Sequence, residues 1–131
     1  MKFKHVLLIE ATKFKKKTIT VKDYNGENDT SISAYTDGIL AYGNYGKGTK
    51  VVIWQLSSGL WFGPFKSMKE ANLMCEILSS AKDYAEWSDQ KTFEKNHLKW
   101  YKIVGKIQAS IHMLHSFEDW ESFKKKEKIE I

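Results

Sequence analysis

The stretch "GLWFGPFKSMKEA", residues 59–71, decides how this chain is built. Two aromatics, Trp61 and Phe62, run into Gly63-Pro64 and then Phe65. Ser67 follows, three residues before Glu70. S-x-x-E spacing is the signature of a capping box: the serine oxygen accepts from a first-turn N–H, and the glutamate reaches back toward the helix start. The stretch therefore reads as a corner where a strand gives way to a helix. It divides the chain into a β half before it and an α half after it.

Before the corner the hydrophobic period is two. Residues 3–10 form a mostly apolar run, and residues 17–23 alternate with Ile19 and Val21 on one face. Asn25-Gly26 centres a polar turn, residues 30–36 alternate again, and Asp37-Gly38 signals a tight hairpin before residues 39–42. A glycine-rich loop covers residues 43–48. Residues 49–56 and 60–65 form a hairpin around Ser57-Ser58-Gly59, which sets Trp54 across from Trp61 or Phe62. The expectation is an antiparallel sheet of five or six strands over residues 3–65.

After the corner the period becomes helical. Ala71, Met74, Leu78, Ala81 and Ala85 predict a helix from about residue 67 to 86. Phe93, His97, Trp100, Val104, Ile107, Ile111 and Leu114 form an inward seam on a second helix, about 89 to 115. Leu98, Tyr101, Gly105 and Ala109 are expected to widen its buried arc, with Gly105 and Ala109 permitting a close helix approach. Residues 117–123 read as one more turn, and residues 124–131 as a charged tail. The class is α+β, a sheet followed by a two-helix hairpin packed on one face, in a single domain over residues 1–131. Residues 1–66 are mainly β and residues 67–123 mainly α. Locally, the corner resembles the strand-to-helix corner of AP2-type and integrase-type DNA-binding domains, and equally that of SPOR domains. The arginines and tryptophans that carry DNA contact in the first family are missing, so the resemblance implies only the βα grammar.

Composition bounds the function. The 131 residues suit one core, and no apolar run reaches membrane-spanning length. The opening Met1-Lys2-Phe3-Lys4-His5 and the apolar residues after it stop at Glu10, short of a signal-peptide core, so a cytoplasmic protein is expected. The single Cys75 fits a reducing compartment. All 21 cations are lysines, set against 16 acids. The planar guanidinium, the preferred group for bidentate contacts to guanine and phosphate, is absent, and lysine offers a mobile point charge instead. The Lys, Ile and Asn usage suggests an AT-rich coding genome.

Motifs for catalysis fail one by one. Residues 43–49, Gly-Asn-Tyr-Gly-Lys-Gly-Thr, lack the spacing of a phosphate loop, because Gly48 separates Lys47 from Thr49 and a strand follows. His112 and His115 share a metal-compatible spacing, yet no second ligand pair accompanies them. Cys75 lies mid-helix without a Cys–His signature. No cofactor, metal or catalytic residue is expected.

Charge and aromatics are more informative. Lys91, Lys95, Lys99, Lys102 and Lys106 share a face opposite the seam, and Glu94 is the only acid between residues 90 and 117. On one straight helix they would form a stripe about 22 Å long. Tyr45, Lys47 and Lys50 of the glycine-rich loop offer further contacts, and Trp87 and Trp120 are expected to be the exposed aromatics. These ten residues are the candidate partner-binding or phosphate-binding set. The expected function is a small non-enzymatic binding protein. It would be a phage or mobile-element accessory protein that inhibits or modulates a host protein or nucleoprotein complex, anti-defence among its possible tasks. The alternative is direct, sequence-tolerant nucleic-acid binding, with the lysines following a DNA or RNA backbone.

Overall fold

The computed structural model of the chain describes residues 14–22, 29–44 and 50–130. Five strands form among them: β1 (Lys15–Lys22), β2 (Asp29–Thr36), β3 (Leu40–Asn44), β4 (Val51–Gln55) and β5 (Trp61–Phe65). They form one antiparallel sheet in the order β1-β2-β3-β4-β5, each strand pairing with the next in the chain. The expected strand over residues 3–10, the Asn25-Gly26 turn, and Tyr45 and Lys47 lie outside the described residues.

Side chains fasten the β2–β3 turn. Asp37 Oδ1 accepts from the N–H groups of Ile39 (2.9 Å) and Leu40 (2.8 Å). Thr36 Oγ1 donates to the Leu40 carbonyl at 2.7 Å. Gly38 takes φ +96°, a conformation that a β-carbon would strain, which is why the Asp-Gly pair marks the turn. In the last hairpin, Trp54 faces Trp61 and Ile53 faces Phe62.

Every residue of β4 is buried, because both of its faces are covered. Val51 and Ile53 join Leu40, Tyr42, Phe62 and Phe65 in the large core beneath the helices. Val52 and Trp54 face the other way and pack with Val21, flanked by Ile19, Ile32 and Leu56. Val21 of β1 shares one buried cluster with Val52 and Trp54 of β4 although two strands lie between them. The sheet is curled strongly enough for its first hairpin to roof its second face.

Helix α1 (Met68–Leu78) begins as the capping box requires. Ser67 Oγ accepts from the Glu70 N–H at 3.2 Å, while the Glu70 carboxylate accepts from the Lys66 N–H at 3.3 Å, one residue before the cap. The helix ends at Leu78, not near residue 86. Ser79 and Ser80 turn their hydroxyls onto the carbonyls of Glu76 (3.0 Å) and Ile77 (2.6 Å), and the Ser80 N–H bonds three residues back rather than four. Serine hydroxyls compete in this way with the helical ladder. A short 3-10 turn, Tyr84–Glu86, follows.

The second expected helix is two helices. Asp89 caps α2 (Gln90–Asn96), its carboxylate accepting from the Thr92 N–H at 3.1 Å. His97 then leaves helical geometry (φ −130°, ψ 44°), and α3 (Leu98–Ser110) starts beyond it. The His97 imidazole reaches Asp83 Oδ2 at 2.8 Å and stacks on Phe93. After a 3-10 turn, Ile111–Met113, α4 (Phe117–Lys126) takes up part of what reads in sequence as a charged tail. Its cap repeats the first: Ser116 Oγ accepts from Asp119 N–H, and Asp119 accepts from His115 N–H. Phe93, Val104, Ile107, Ile111 and Leu114 of the expected seam are buried. Leu98, Gly105 and Ala109 are exposed, so the buried arc is narrower than expected.

Candidate functional site: a lysine face and the groove beside it

Lys91 and Lys95 stand on α2, and Lys99, Lys102 and Lys106 on α3. All five are exposed, and none makes an ion pair among the described residues. Like charges one turn apart repel by a few tenths of a kcal/mol per pair. The break at His97 divides the lysines between two helical segments, which corrects the single straight stripe of the sequence reading. Lys50, at the entry to β4, is exposed as well.

A groove of about 350 Å³ opens between β5 and the α2–α3 pair. Phe62, Phe93 and Val104 supply apolar lining, and Trp61, Lys102 and Gln108 also line it. No carboxylate lines this groove among the described residues. Gly105 lies on the α3 side, and a β-carbon built there would meet nothing within 4 Å. The glycine therefore serves no close helix approach. It costs α3 roughly 1 kcal/mol relative to alanine, and no contact among the described residues offsets the loss.

Two of the expected exposed aromatics are core residues. Trp87 is 1% exposed and Trp120 0%. The Trp87 ring packs against Phe93 (centroids 4.8 Å), Trp100 (5.8 Å) and Phe62 (6.1 Å), filling the space between sheet and helices. Trp120 packs on Phe123, and the Lys124 ammonium lies 5.8 Å from its ring centre. Hydrophobic area drives both inward, and neither presents a surface to a partner. The exposed aromatics that sequence reasoning missed are Phe117, 37% exposed, and Trp61, 42% exposed. A signal existed for Trp61: Pro64 lies in the same strand, and proline in a sheet belongs to an edge. An edge strand leaves alternate side chains at the rim.

The remaining candidates do not converge. His112 and His115 are exposed, and no group of three or more His, Cys, Asp or Glu side chains is arranged to hold a metal ion among the described residues. Cys75 is fully buried in the main core. Burial drives the Tyr42 phenol well above its ordinary range, and its hydroxyl donates to Asn72 at 2.7 Å. Tyr84 is pushed up to about 12, by burial first and then by its 2.8 Å hydrogen bond to Asp37. Both groups tie the sheet to the helical side and lie outside the groove lining. No helix among the described residues is long and apolar enough to cross a membrane.

No protein-family model, no curated protein and no solved structure matches the chain.

Proposed function

We propose that this protein acts by docking rather than by catalysis, using the α2–α3 lysine face to engage an acidic surface on a host protein or nucleoprotein complex. The observation that supports this reading is the set of five exposed lysines on α2 and α3, none of them ion-paired among the described residues, with Glu94 the only acid between residues 90 and 117. Rim lysines of this kind raise association rates and select the sign of the partner. A phage or mobile-element accessory protein that inhibits or modulates its host target in the cytoplasm fits such a surface. The compact chain and its AT-rich residue usage are consistent with that origin. The test is an affinity capture from the natural host's lysate, with and without nuclease. One partner is expected to survive both nuclease and moderate salt, and to be lost in the Lys95→Glu/Lys102→Glu variant while the circular dichroism spectrum is unchanged. Capture unaffected by the charge reversal refutes the reading.

Direct nucleic-acid binding is the second reading, favoured by exposed Trp61 beside the lysines. Its mark is steep salt dependence with little sequence preference. Nuclease-sensitive capture would favour it.

A further inference from the structure

We propose that the groove between β5 and α3 is an anchor pocket for one apolar side chain of a short acidic peptide segment on the partner. This rests on the docking function proposed above and names the contact that gives it specificity. Three observations converge on the same place. The groove has an apolar lining that includes Phe93, and its volume of about 350 Å³ lies at the small end of the range for built pockets. Its charged lining residue is Lys102, with Lys99 three residues before it and Lys106 four after it on the same helix, and no carboxylate lines it among the described residues. Gly105 opens the α3 side, and among the described residues nothing lies within 4 Å of where its β-carbon would stand.

Charge decides the class of occupant. Asp89 stands in the adjoining cleft beyond Gln90, but the charge on the α3 side of the groove is Lys102 with Lys99 and Lys106 along its helix, a side that repels a cationic segment and receives an anionic one. A second copy of this chain, with its net charge of +5, would set lysine against lysine. Added-strand pairing along β5 is blunted by Pro64, which has no N–H to donate. The mode that remains is a side chain seated in the groove: Trp61 at the rim excludes water, Gln90 and Gln108 offer amides to the peptide backbone, and the lysines hold the flanking carboxylates. A nucleic-acid strand would call for a succession of exposed rings along a backbone track, whereas among the described residues lining this groove Trp61 is exposed and Tyr101 only partly so.

The experiment uses the full chain and two fluorescent peptide pools, both rich in aspartate and glutamate. One pool carries a central tryptophan, phenylalanine or leucine, and the other a central serine. Anisotropy titration is expected to show the anchored pool binding about tenfold more tightly than the serine pool. Gly105→Met, whose side chain would fill the groove, is expected to bring the anchored pool down to the affinity of the serine pool. Gly105→Gln provides a second filled groove. Gly105→Ala is the control, expected to raise the melting temperature and keep most of the difference. Lys102→Glu is expected to weaken both pools. Equal binding of the two pools, or a difference that persists in both filled-groove variants, overturns the pocket. If Lys102→Glu still weakens both pools in that case, the docking function survives without it. Absence of binding by either pool overturns both proposals. An oligothymidylate that outcompetes the anchored pool, and is itself lost on filling the groove, assigns the pocket to a base and overturns the peptide.

Discussion

The phenol of Tyr84 completes the contacts around the β2–β3 turn, donating to the same Asp37 carboxylate that receives two backbone N–H groups. Its ionisation is linked to folding. An unfolded tyrosine releases its proton near pH 10, whereas the folded chain holds this one to about 12. The stability it contributes is whole below pH 10 and is lost as pH climbs from there to about 12. A melting series across that window should fall for the wild type and fall less steeply for Tyr84→Phe. Tyr42, also raised, keeps part of the slope. At the same scale, the tryptophans show what a sequence hides. Trp87 lies beyond the regular part of α1 and Trp120 just ahead of a lysine run, so both read as surface residues. A ring's neighbours across the fold decide otherwise, and Phe62, Phe93 and Trp100 are as many as 38 positions from one another (100 − 62).

Elements were legible where their signals are local. The strand pairings after Asp37-Gly38 and Ser57-Ser58-Gly59 follow from alternation and turn chemistry, and the start of α1 follows from Ser67 and Glu70. Replacing that cap, Ser67→Ala, should cost about 1 kcal/mol, measured by chemical denaturation. A cost near zero would mean that the Glu70 bond to Lys66 N–H secures the turn unaided. The same grammar at Ser116 and Asp119 foretells α4, whose length was underestimated because its last turn is basic. Lysines there complement the helix dipole rather than marking a disordered tail. The break at His97 was not legible. The seam keeps its spacing through it, and the carbonyl of His97 still receives the Tyr101 N–H at 2.9 Å. Only the reach of the imidazole to Asp83 distinguishes the site, and that contact crosses from another element.

For the whole molecule, the α+β architecture was readable from the change of period at residue 67, whereas the groove was not. Its two sides come from β5 and from helices 25 or more residues onward (90 − 65), and no pattern within either predicts their spacing. Curling of the sheet has a consequence of its own. β4 is a party wall between two rooms: Val52 belongs to one and Ile53 to the other, although they are successive residues. Damage in one room should go unnoticed in the other. Ile53→Ala should cost about 2–5 kcal/mol, and adding Val52→Ala should change stability by its own separate amount, with the two summing to within about 0.5 kcal/mol. Denaturation of the single and double variants measures this, and strong non-additivity would mean that the wall transmits strain and the two rooms are one.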